Sequence, residues 1–424
     1  MENLIKDLFY NTSNEVLDEM KERLKRLLYY SAHYLQLLFV WLVLHTMRRD
    51  MLNQNIWLIR EKRDEARDNG YHLFKFIREV HPEINAYFVI TRDSSDRYKV
   101  EKFGNYLIEA DSWEHCIYFL AAQYSINSQM YGAYPFHFSR RMLGYVQKLC
   151  NPKQKVIFLQ HGITKDKLSI LDFHYKNCNI DYFVTSTKKE YDFIKKTYGY
   201  PDNAIGCIGL ARFDFLHTTH TVKKQLLVMP TWRRWLDHGN ISYSLSDPMH
   251  FCNSDYFSAY AKMLSDDTLI QKLRSRGYQL VFYPHYKMQP FVERFRVFQN
   301  DVVVIADKCA FDVQELLMSS SMMVTDYSSV FFDFAYMNKP VAYYQFDKDA
   351  FRNTHYAEGY FSYENDAFGP CFENYERLRQ YIMQMIDEHC RQPAMYDQRV
   401  KDFFTVRDNH NCERTYEAIR ALEE

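Results

Sequence analysis

The sequence predicts an α/β protein built from two parallel sheets that face each other across a cleft. Two observations predict this class: short β-rich runs alternate with helical segments in two separate series, and a polar, threonine-rich stretch at residues 217–224 divides the series. Such alternation is typical of parallel sheets with helices on both faces. The chain of 424 residues is also too long for one compact core, so two domains are expected.

The two series give the predicted domain boundaries. In the first series, strands are predicted at residues 56–59, 86–90, 156–159 and 182–185, with helices at 70–78, 113–123 and 187–198. In the second series, strands are predicted at 226–229, 280–283, 302–305, 322–325 and from 341, with a long helix within 255–276 and helices at 312–318, from 375 and from 411. We therefore expect an N-terminal helical segment at 1–50, a first domain at 51–217 and a second at 218–424.

Composition excludes several classes of function. Lys and Arg (53) balance Asp and Glu (54), so no global basic field exists to hold nucleic acid. The nine cysteines form no C-x-x-C pair and show no metal-ligand spacing, which is typical of reduced thiols in a cytosolic protein. Neither a G-x-G-x-x-G nor a P-loop motif is present, so the dinucleotide and P-loop interpretations fail.

The N-terminal segment has three interpretations. Residues 27–47 contain no Asp, Glu, Lys or Arg and are flanked on both sides by basic residues, whereas no cleavable signal peptide is evident. The segment fits a core helix of the first domain, a helix lying in the membrane interface, or a true membrane span. Basic flanks with Trp41 and several tyrosines would suit an anionic membrane surface.

The most informative stretch is a predicted strand, a hydroxyl-rich turn and an apolar helix. The strand at 322–325 is followed by Asp326, Ser328 and Ser329, where the chain enters the helix. Backbone N–H groups at a helix start have no intrahelical partner and favour an anion such as phosphate. The structural interpretation is an ordinary Asp/Ser cap of the helix.

Imidazole and guanidinium groups follow three more predicted strands: His161, Arg233 and His285. A histidine there suits a general base, or a cation that neutralises a departing phosphate, and an arginine can hold a phosphate with two hydrogen bonds. Each also has a structural interpretation, namely a locally hydrogen-bonded or turn histidine, or an arginine in a surface ion pair. Arg212 and Asp214, near the end of the first domain, suit a structural pair with each other.

The shared position of these groups favours a functional site. Structural accidents would scatter over both ends of the sheets, whereas ligands of α/β proteins bind beyond the carboxyl ends of the strands. Basic and hydroxyl groups without a carboxylate triad or a metal cage suit phosphoryl transfer, which depends on positioning and charge neutralisation.

Several of these motifs resemble those of the CDP-glycerol glycerophosphotransferases of bacterial teichoic acid and capsule assembly. The resemblance covers residues 55–414. It is strongest at residues 326–334 with Lys339 and Pro340, and clear at 66–70, at 230–233, and at Gly209 with Arg212 and Asp214.

The resemblance implies a GT-B architecture of two Rossmann-like domains, the first for the acceptor and the second holding the donor nucleotide. It implies transfer of a polyol phosphate, most simply glycerol phosphate, from a CDP-polyol to a hydroxyl of a lipid-linked or saccharide acceptor, with release of CMP. It also implies peripheral attachment to the cytoplasmic face of the bacterial membrane.

The resemblance also implies roles for individual residues. It places His161 and His285 in catalysis. The donor-binding residues it implies are Thr231, Arg233, Asp326, Ser328, Ser329 and Asp333. Acceptor-binding or structural roles fall to Asp68, Asn69, Lys165, Arg212 and Asp214, and a weaker C-terminal motif includes Asp408, Glu413 and Arg414. No metal-ligand cluster is visible in the sequence, although a Mg²⁺ ion carried by the donor diphosphate needs few protein ligands.

The sequence departs from the family pattern at three motifs. Ile163 separates the His-Gly pair from Thr164, Pro284 precedes rather than follows His285, and Asn409 and Cys412 replace the usual Gly and Ser. The motifs do not separate glycerol from ribitol branches, so CDP-ribitol also fits as the donor. Two different functions fit the same residues: a GT-B glycosyltransferase that uses a nucleotide sugar, and a membrane-bound scaffold that binds nucleotide without consuming it.

Overall fold

The computed structural model describes residues 2–130, 132–136, 147–217, 221–236, 251–404 and 406–422. They form two compact units, one of residues up to 66 with 77–156 and the other of residues 67–76 with 157 onward. The domain boundaries predicted at 50/51 and 217/218 stay predictions, and residues 218–220 of the predicted junction lie outside the described residues.

The helices have the following bounds. The α-helices include α1 (Glu2–Thr46), α2 (Asn69–Val80), α3 (Trp113–Ala121), α4 (Ile170–Phe173), α5 (Lys188–Tyr198), α6 (Phe213–Leu216), α7 (Asp255–Leu264), α8 (Asp267–Arg276), α9 (Val313–Ser319), α10 (Phe331–Tyr336), α11 (Lys348–Thr354), α12 (Tyr375–Asp387), α13 (Ala394–Phe403) and α14 (Asn411–Arg420). Short 3-10 helices lie at Arg49–Asn53, Arg97–Lys99, Glu101–Tyr106, Asp202–Ala204, Arg234–Leu236, Tyr286–Arg294 and Arg296–Phe298.

The first unit contains parallel strands in the order β3-β2-β1-β4. These are β1 (Trp57–Arg60), β2 (Ala86–Ile90), β3 (Leu107–Glu109) and β4 (Tyr124–Asn127). Trp57 pairs with Ala86 on one side and with Tyr124 on the other, so β1 lies inside the sheet and is buried along its whole length. The sequence predicts β1 and β2 but misses the two outer strands.

Helix α1 packs one face on the core of the first unit and exposes another apolar face. Leu37, Val40 and Leu44 are buried at helical spacing and pack in a cluster with Phe119 and Leu120 of α3. Exposed apolar side chains lie elsewhere on α1: Leu24, Leu27, Leu28, Leu35, Leu38, Phe39 and Leu42. By length and composition alone, the part Met20–Thr46 could cross a membrane. The segment is therefore a core helix on one face and an exposed apolar surface on another.

The second unit contains a six-stranded parallel sheet in the order β10-β9-β8-β11-β12-β13. Its strands are β8 (Gln225–Met229), β9 (Gln279–Phe282), β10 (Val303–Ile305), β11 (Met322–Thr325), β12 (Val341–Tyr344) and β13 (Cys371–Phe372). Leu226 in β8 pairs with Leu280 in β9 and with Met322 in β11. The strand order reverses between β8 and β11, and ligands of such sheets bind at this switch point.

Three further parallel strands precede this sheet in the chain. They are β5 (Lys155–Phe158), β6 (Tyr182–Thr185) and β7 (Ile205–Cys207), and they lie side by side in that order. Every residue of β6 is buried, as a strand covered on both faces requires. Because the three strands are parallel, the polar residues that follow them lie at the same edge.

The core of the second unit explains why its helices dock on the sheet. Alternate residues of the central strands, such as Val228 and Val324, are fully buried and join one cluster with Tyr260, Leu273 and Ile382 from the covering helices. Full burial of such side chains contributes about 1.5–3 kcal/mol each.

The predicted single helix within 255–276 is two helices. Asp266 interrupts it because its side chain accepts a hydrogen bond from the Leu269 N–H and caps α8, while Ser254 caps α7 in the same way. In the sequence, the Asp-Asp pair at 266–267 marks the start of α8. The helical spacing of apolar residues continues on both sides of this pair, so the sequence suggests one uninterrupted helix.

Candidate functional site

Polar residues of the second unit gather at the carboxyl ends of three neighbouring strands. Thr231 follows β8, His285 follows β9 and Asp326 follows β11, and β8 lies between the other two. Because the strands are parallel, these residues share one edge of the sheet, next to the switch point. The sequence predicts this grouping from strand ends alone.

Asp326 joins β8 to β11 across the switch point. Its Oδ1 accepts hydrogen bonds from the Thr231 N–H (2.8 Å), the Thr231 hydroxyl (2.6 Å) and the Tyr327 N–H (2.6 Å), and its Oδ2 lies 2.9 Å from the Arg233 guanidinium. The residue has no exposed surface. Its oxygens are committed to the protein, so Asp326 and Thr231 shape the edge rather than present it to a ligand.

Arg233 is a buried cation between two carboxylates. Its Nε and Nη2 donate to Asp347 at 2.6 and 3.1 Å, its Nη1 donates to the Thr231 carbonyl at 2.7 Å, and Nη2 also meets Asp326. Rings of four residues lie about the guanidinium: Tyr256, Tyr327, Phe346 and Phe351. Burial alone would lower the pKa of Arg233, but the two carboxylates outweigh burial and raise it.

The ion pair of Arg233 is buried rather than on the surface, and the predicted phosphate contact of Arg233 stays a prediction. With no exposed surface, Arg233 holds the turn at Asp326 and the segment at Asp347 instead of facing a ligand. The burial of Arg233 and its pairing with Asp347 result from tertiary packing. The position of Arg233 after a predicted strand does not indicate either of them. Asp347 is a residue that no pattern in the sequence indicated.

The Ser328–Ser329 turn lies half-buried beside the His161 loop. A Cβ atom added to Gly162 would lie 2.9 Å from the Ser329 Oγ, so the glycine permits the close approach of the two segments. The Ser328 Oγ accepts from the Val330 N–H at 3.4 Å, a hydrogen bond within the turn rather than a side-chain cap of α10, whose N-cap residue is Val330. Helix α10 has only six residues, so its dipole adds little, and the turn's hydroxyls are its main polar groups.

His161 is exposed on a loop that follows β5. The preceding residue, Gln160, has a positive φ of 60° and is buried, so the loop turns sharply before the imidazole. The Asn69 Nδ2 donates to the Gln160 carbonyl at 2.8 Å and holds the loop on one side. The exposed imidazole therefore projects from a fixed backbone next to Gly162.

Arg212 connects Asp68 and Asn69 to the helix after the serine turn. Its Nε and Nη2 donate to the two oxygens of Asp333 at 2.6 and 2.9 Å, and its Nη1 donates to Asp68 at 2.9 Å. The Arg212 N–H also donates to Asn69. Asp333 is thus engaged in a bidentate pair and is 3% exposed, which indicates a structural role, and its contact with the donor stays a prediction.

Arg212 and Asp214 do not pair with each other as the sequence suggested. Asp214 instead accepts from the Asn411 N–H, the Asn411 side chain and the Cys412 N–H, and so caps α14. Gly209, with a φ of 88°, lies against Asn411 so closely that an added Cβ would overlap its side-chain oxygen. The weak C-terminal motif therefore packs on the segment after β7.

Lys165 is also a structural residue. It is 3% exposed and forms an ion pair with Asp166, which in turn accepts from Arg352 at 2.7 Å. Burial lowers the pKa of Lys165, and the Asp166 carboxylate opposes that change. A buried paired amine is poorly placed to meet an acceptor.

His285 is half-buried and held in one orientation. Its Nδ1 accepts from the Lys287 N–H at 3.3 Å, and its ring lies 6.3 Å from that of Trp232, nearly parallel to it. In the neutral ring this interaction leaves the proton on Nε2, which is then a donor. The Lys287 Nζ lies 3.5 Å from the Trp232 ring centre, so positive charge is also close by.

Comparisons with known proteins agree with this architecture. Two helix-covered parallel sheets, with polar groups at the carboxyl ends of their strands, define an α/β protein of the GT-B type. A solved structure of the wall teichoic acid polymerase TagF matches with a TM-score of 0.61 at 14% identity, over 93% of this chain and 99% of that one. At this identity the likeness shows the fold.

The chain belongs to the CDP-glycerol:poly(glycerophosphate) glycerophosphotransferase family, whose model matches residues 42–421. It is 35% identical over 373 residues to the minor teichoic acid biosynthesis protein GgaB of Bacillus subtilis, covering 87% of this chain and 40% of that protein. It is 21% identical over 372 residues to the teichoic acid poly(glycerol phosphate) polymerase of Bacillus subtilis, covering 83% of this chain and 46% of that protein. The chain therefore spans less than half the length of these two relatives.

Proposed function

We propose that the chain transfers glycerol phosphate from CDP-glycerol to a hydroxyl of a lipid-linked or glycan acceptor, with release of CMP, in the synthesis of a teichoic acid or related cell-surface polymer. One observation carries the proposal beyond family membership: Gly162 brings the loop of the exposed His161 against Ser329. A base and a hydroxyl-bearing turn then lie side by side, as phosphoryl transfer requires.

In this mechanism His161 removes the proton from the acceptor hydroxyl as its oxygen attacks the phosphorus that bears the glycerol. A new phosphodiester bond forms, the bond from that phosphorus to the bridging oxygen breaks, and CMP leaves with the electron pair. The hydroxyls of Ser328 and Ser329 and the Nε2 proton of His285 donate to the phosphate oxygens, where negative charge concentrates. Arg233, Asp326 and Thr231 act indirectly, because they hold the turn that carries the serines.

The described residues do not fit a metal ion held by the protein. Within those ranges no group of three or more His, Cys, Asp or Glu side chains is arranged as a metal site. The carboxylates of Asp326, Asp333 and Asp347 are bound to arginines. A Mg²⁺ ion bound to the donor diphosphate stays part of the proposal, and no step is assigned to it.

Acceptor-dependent release of CMP tests the function. Purified chain is supplied with CDP-glycerol, CDP-ribitol or a nucleotide sugar, with and without a teichoic acid acceptor, and both CMP and new phosphodiester are measured. We expect turnover with CDP-glycerol and a phosphodiester product. Turnover with CDP-ribitol instead of CDP-glycerol would identify CDP-ribitol as the donor. Turnover of a nucleotide sugar without a new phosphodiester would identify a glycosyltransferase, and nucleotide binding without consumption would identify a scaffold.

The proposal includes peripheral attachment to the cytoplasmic face of the bacterial membrane through α1. Its exposed apolar residues, such as Leu35 and Leu42, lie between basic residues at 23–26 and 48–49, a pattern that suits an anionic interface. We expect the chain to sediment with phosphatidylglycerol vesicles, and Leu35→Ser/Leu42→Ser to weaken this binding without unfolding the protein. Binding equal to that of the parent would contradict attachment through this face.

A further inference from the structure

A fully buried carboxylate lies behind the His161 loop, and the proposed mechanism does not use it. Glu190, on α5 after β6, has no exposed surface. Its Oε1 accepts from the Thr164 N–H at 2.6 Å and from the Gln160 side chain at 3.0 Å, and its Oε2 accepts from the Ser186 N–H at 2.7 Å. Two of these three donors belong to residues 160–164, the loop that carries His161.

A hydrogen bond within the loop also joins two of the residues that contact this carboxylate region, Gln160 and Thr164. The Thr164 hydroxyl donates to the Gln160 Oε1 at 2.7 Å, and the Gln160 Nε2 also donates to the Val184 carbonyl at 2.6 Å. Gln160 is the residue with the positive φ that directs the chain into His161. The carboxylate therefore fixes both ends of the loop, which the Asn69 side chain also holds through the Gln160 carbonyl.

We propose that Glu190 is a positioning residue for the base: its ionised carboxylate holds residues 160–164 so that His161 projects beside Ser329. This inference rests on the proposed function, because it assigns Glu190 to the same reaction. Thr187 and Glu190 match the spacing of a helix-capping box, which alone would explain a glutamate here. Capping does not explain the two hydrogen bonds from the loop.

The polar groups facing Glu190 make its ionisation matter. The N–H groups of Thr164 and Ser186 and the Gln160 amide all donate to it, so a protonated Glu190 has no acceptor among them and loses part of the loop contact. Burial raises the pKa of Glu190 to about 7, against these hydrogen bonds that favour the charged form. Titratable groups that interact with it among the described residues include the Cys207 thiol and the Tyr360 phenol, whose pKa values are raised by burial first and by this carboxylate second.

Glu190→Gln tests the role with little change of volume. The new amide must turn its NH₂ group toward either the two loop donors or the Ser186 N–H, so either two hydrogen bonds or one become clashes between donors. We expect kcat with CDP-glycerol to fall about a hundredfold, as for a base displaced by about 1 Å, while the KM for the donor changes far less. In the parent protein, part of the loss of activity at low pH should follow protonation of Glu190, and this part should be absent from the pH profile of the variant.

Thr187→Ala is the matched control, because the Thr187 hydroxyl caps the same helix by accepting from the Glu190 N–H, a contact within the helix start rather than with the loop. It should lower the melting temperature, because the helix loses a cap, and leave kcat and the pH profile unchanged. If Glu190→Gln fails to fold, Gln160→Ala removes the side-chain link while keeping the backbone contact, and should lower kcat in part.

The outcomes separate this inference from the proposed function. A parent protein that releases no CMP from any donor would overturn the proposed function. An active parent with Glu190→Gln showing the parent's kcat and pH profile, or losing no more than Thr187→Ala, would overturn the role of Glu190 alone.

Discussion

Replacing His161 by alanine should lower kcat for acceptor-dependent CMP release by about a hundredfold or more, the usual effect of losing a general base. The side chain is exposed, so its removal leaves no cavity and the free energy of unfolding should change by less than about 0.5 kcal/mol. Donor affinity should change little, because the imidazole acts on the acceptor hydroxyl. CMP release and thermal unfolding, measured on the same preparation, check both expectations.

The matched control is His389→Asn, since His389 is also exposed but lies in the loop after α12, outside the strand-end residues. Its φ of 56° is one that asparagine tolerates. This variant should keep the parent's activity. A folded His161→Ala protein that turns over like the parent would remove His161 from the role of base.

Replacing Arg233 by methionine should destabilise the protein by about 3–5 kcal/mol, because it leaves Asp326 and Asp347 buried without their cation. Urea unfolding followed by circular dichroism measures the change in the free energy of unfolding. Arg234→Met is the control: this neighbouring arginine is exposed, and its loss should cost less than about 0.5 kcal/mol.

The difference in the free energy of unfolding between Arg233→Met and the parent should become smaller as the pH falls. Burial already raises the pKa of Asp347, and without Arg233 its folded-state pKa rises further above the unfolded value. Between the unfolded-state and the folded-state pKa of Asp347, the folded variant binds more protons than its unfolded chain. The free energy of unfolding of the variant therefore rises as the pH decreases through this range. Arg233→Met with the parent's stability, or a loss that grows on acidification, would contradict the description of Arg233 as a cation buried between two carboxylates.

The sequence predicts where the chemistry lies better than it predicts what each side chain does. Strand ends and their order along the chain place Thr231, His285 and Asp326 on one edge, because parallel strands share a direction. Partners and burial depend on segments distant in sequence. For that reason the sequence does not indicate Asp347, and it predicts a phosphate contact for Arg233 where the structure has a buried ion pair.

Local signals with two meanings explain further differences. The spacing of Thr187 and Glu190 indicates a capping box and conceals the contact of Glu190 with the loop. The Arg212–Asp214 spacing suggests a local pair, but the structure gives Arg212 to Asp333 and Asp214 to α14. For Arg212 and Asp214 a nearby partner explains the residue types, and the fold supplies different ones. For Glu190 the fold keeps the cap with Thr187 and adds the contact with the loop.

The most direct test of the proposed site is the structure of the His161→Ala protein bound to CDP-glycerol. We predict the donor diphosphate at the carboxyl edge of β8, β9 and β11, within hydrogen-bond distance of Ser328 or Ser329 and beside Gly162. A donor bound with its diphosphate away from that turn would contradict the proposed site.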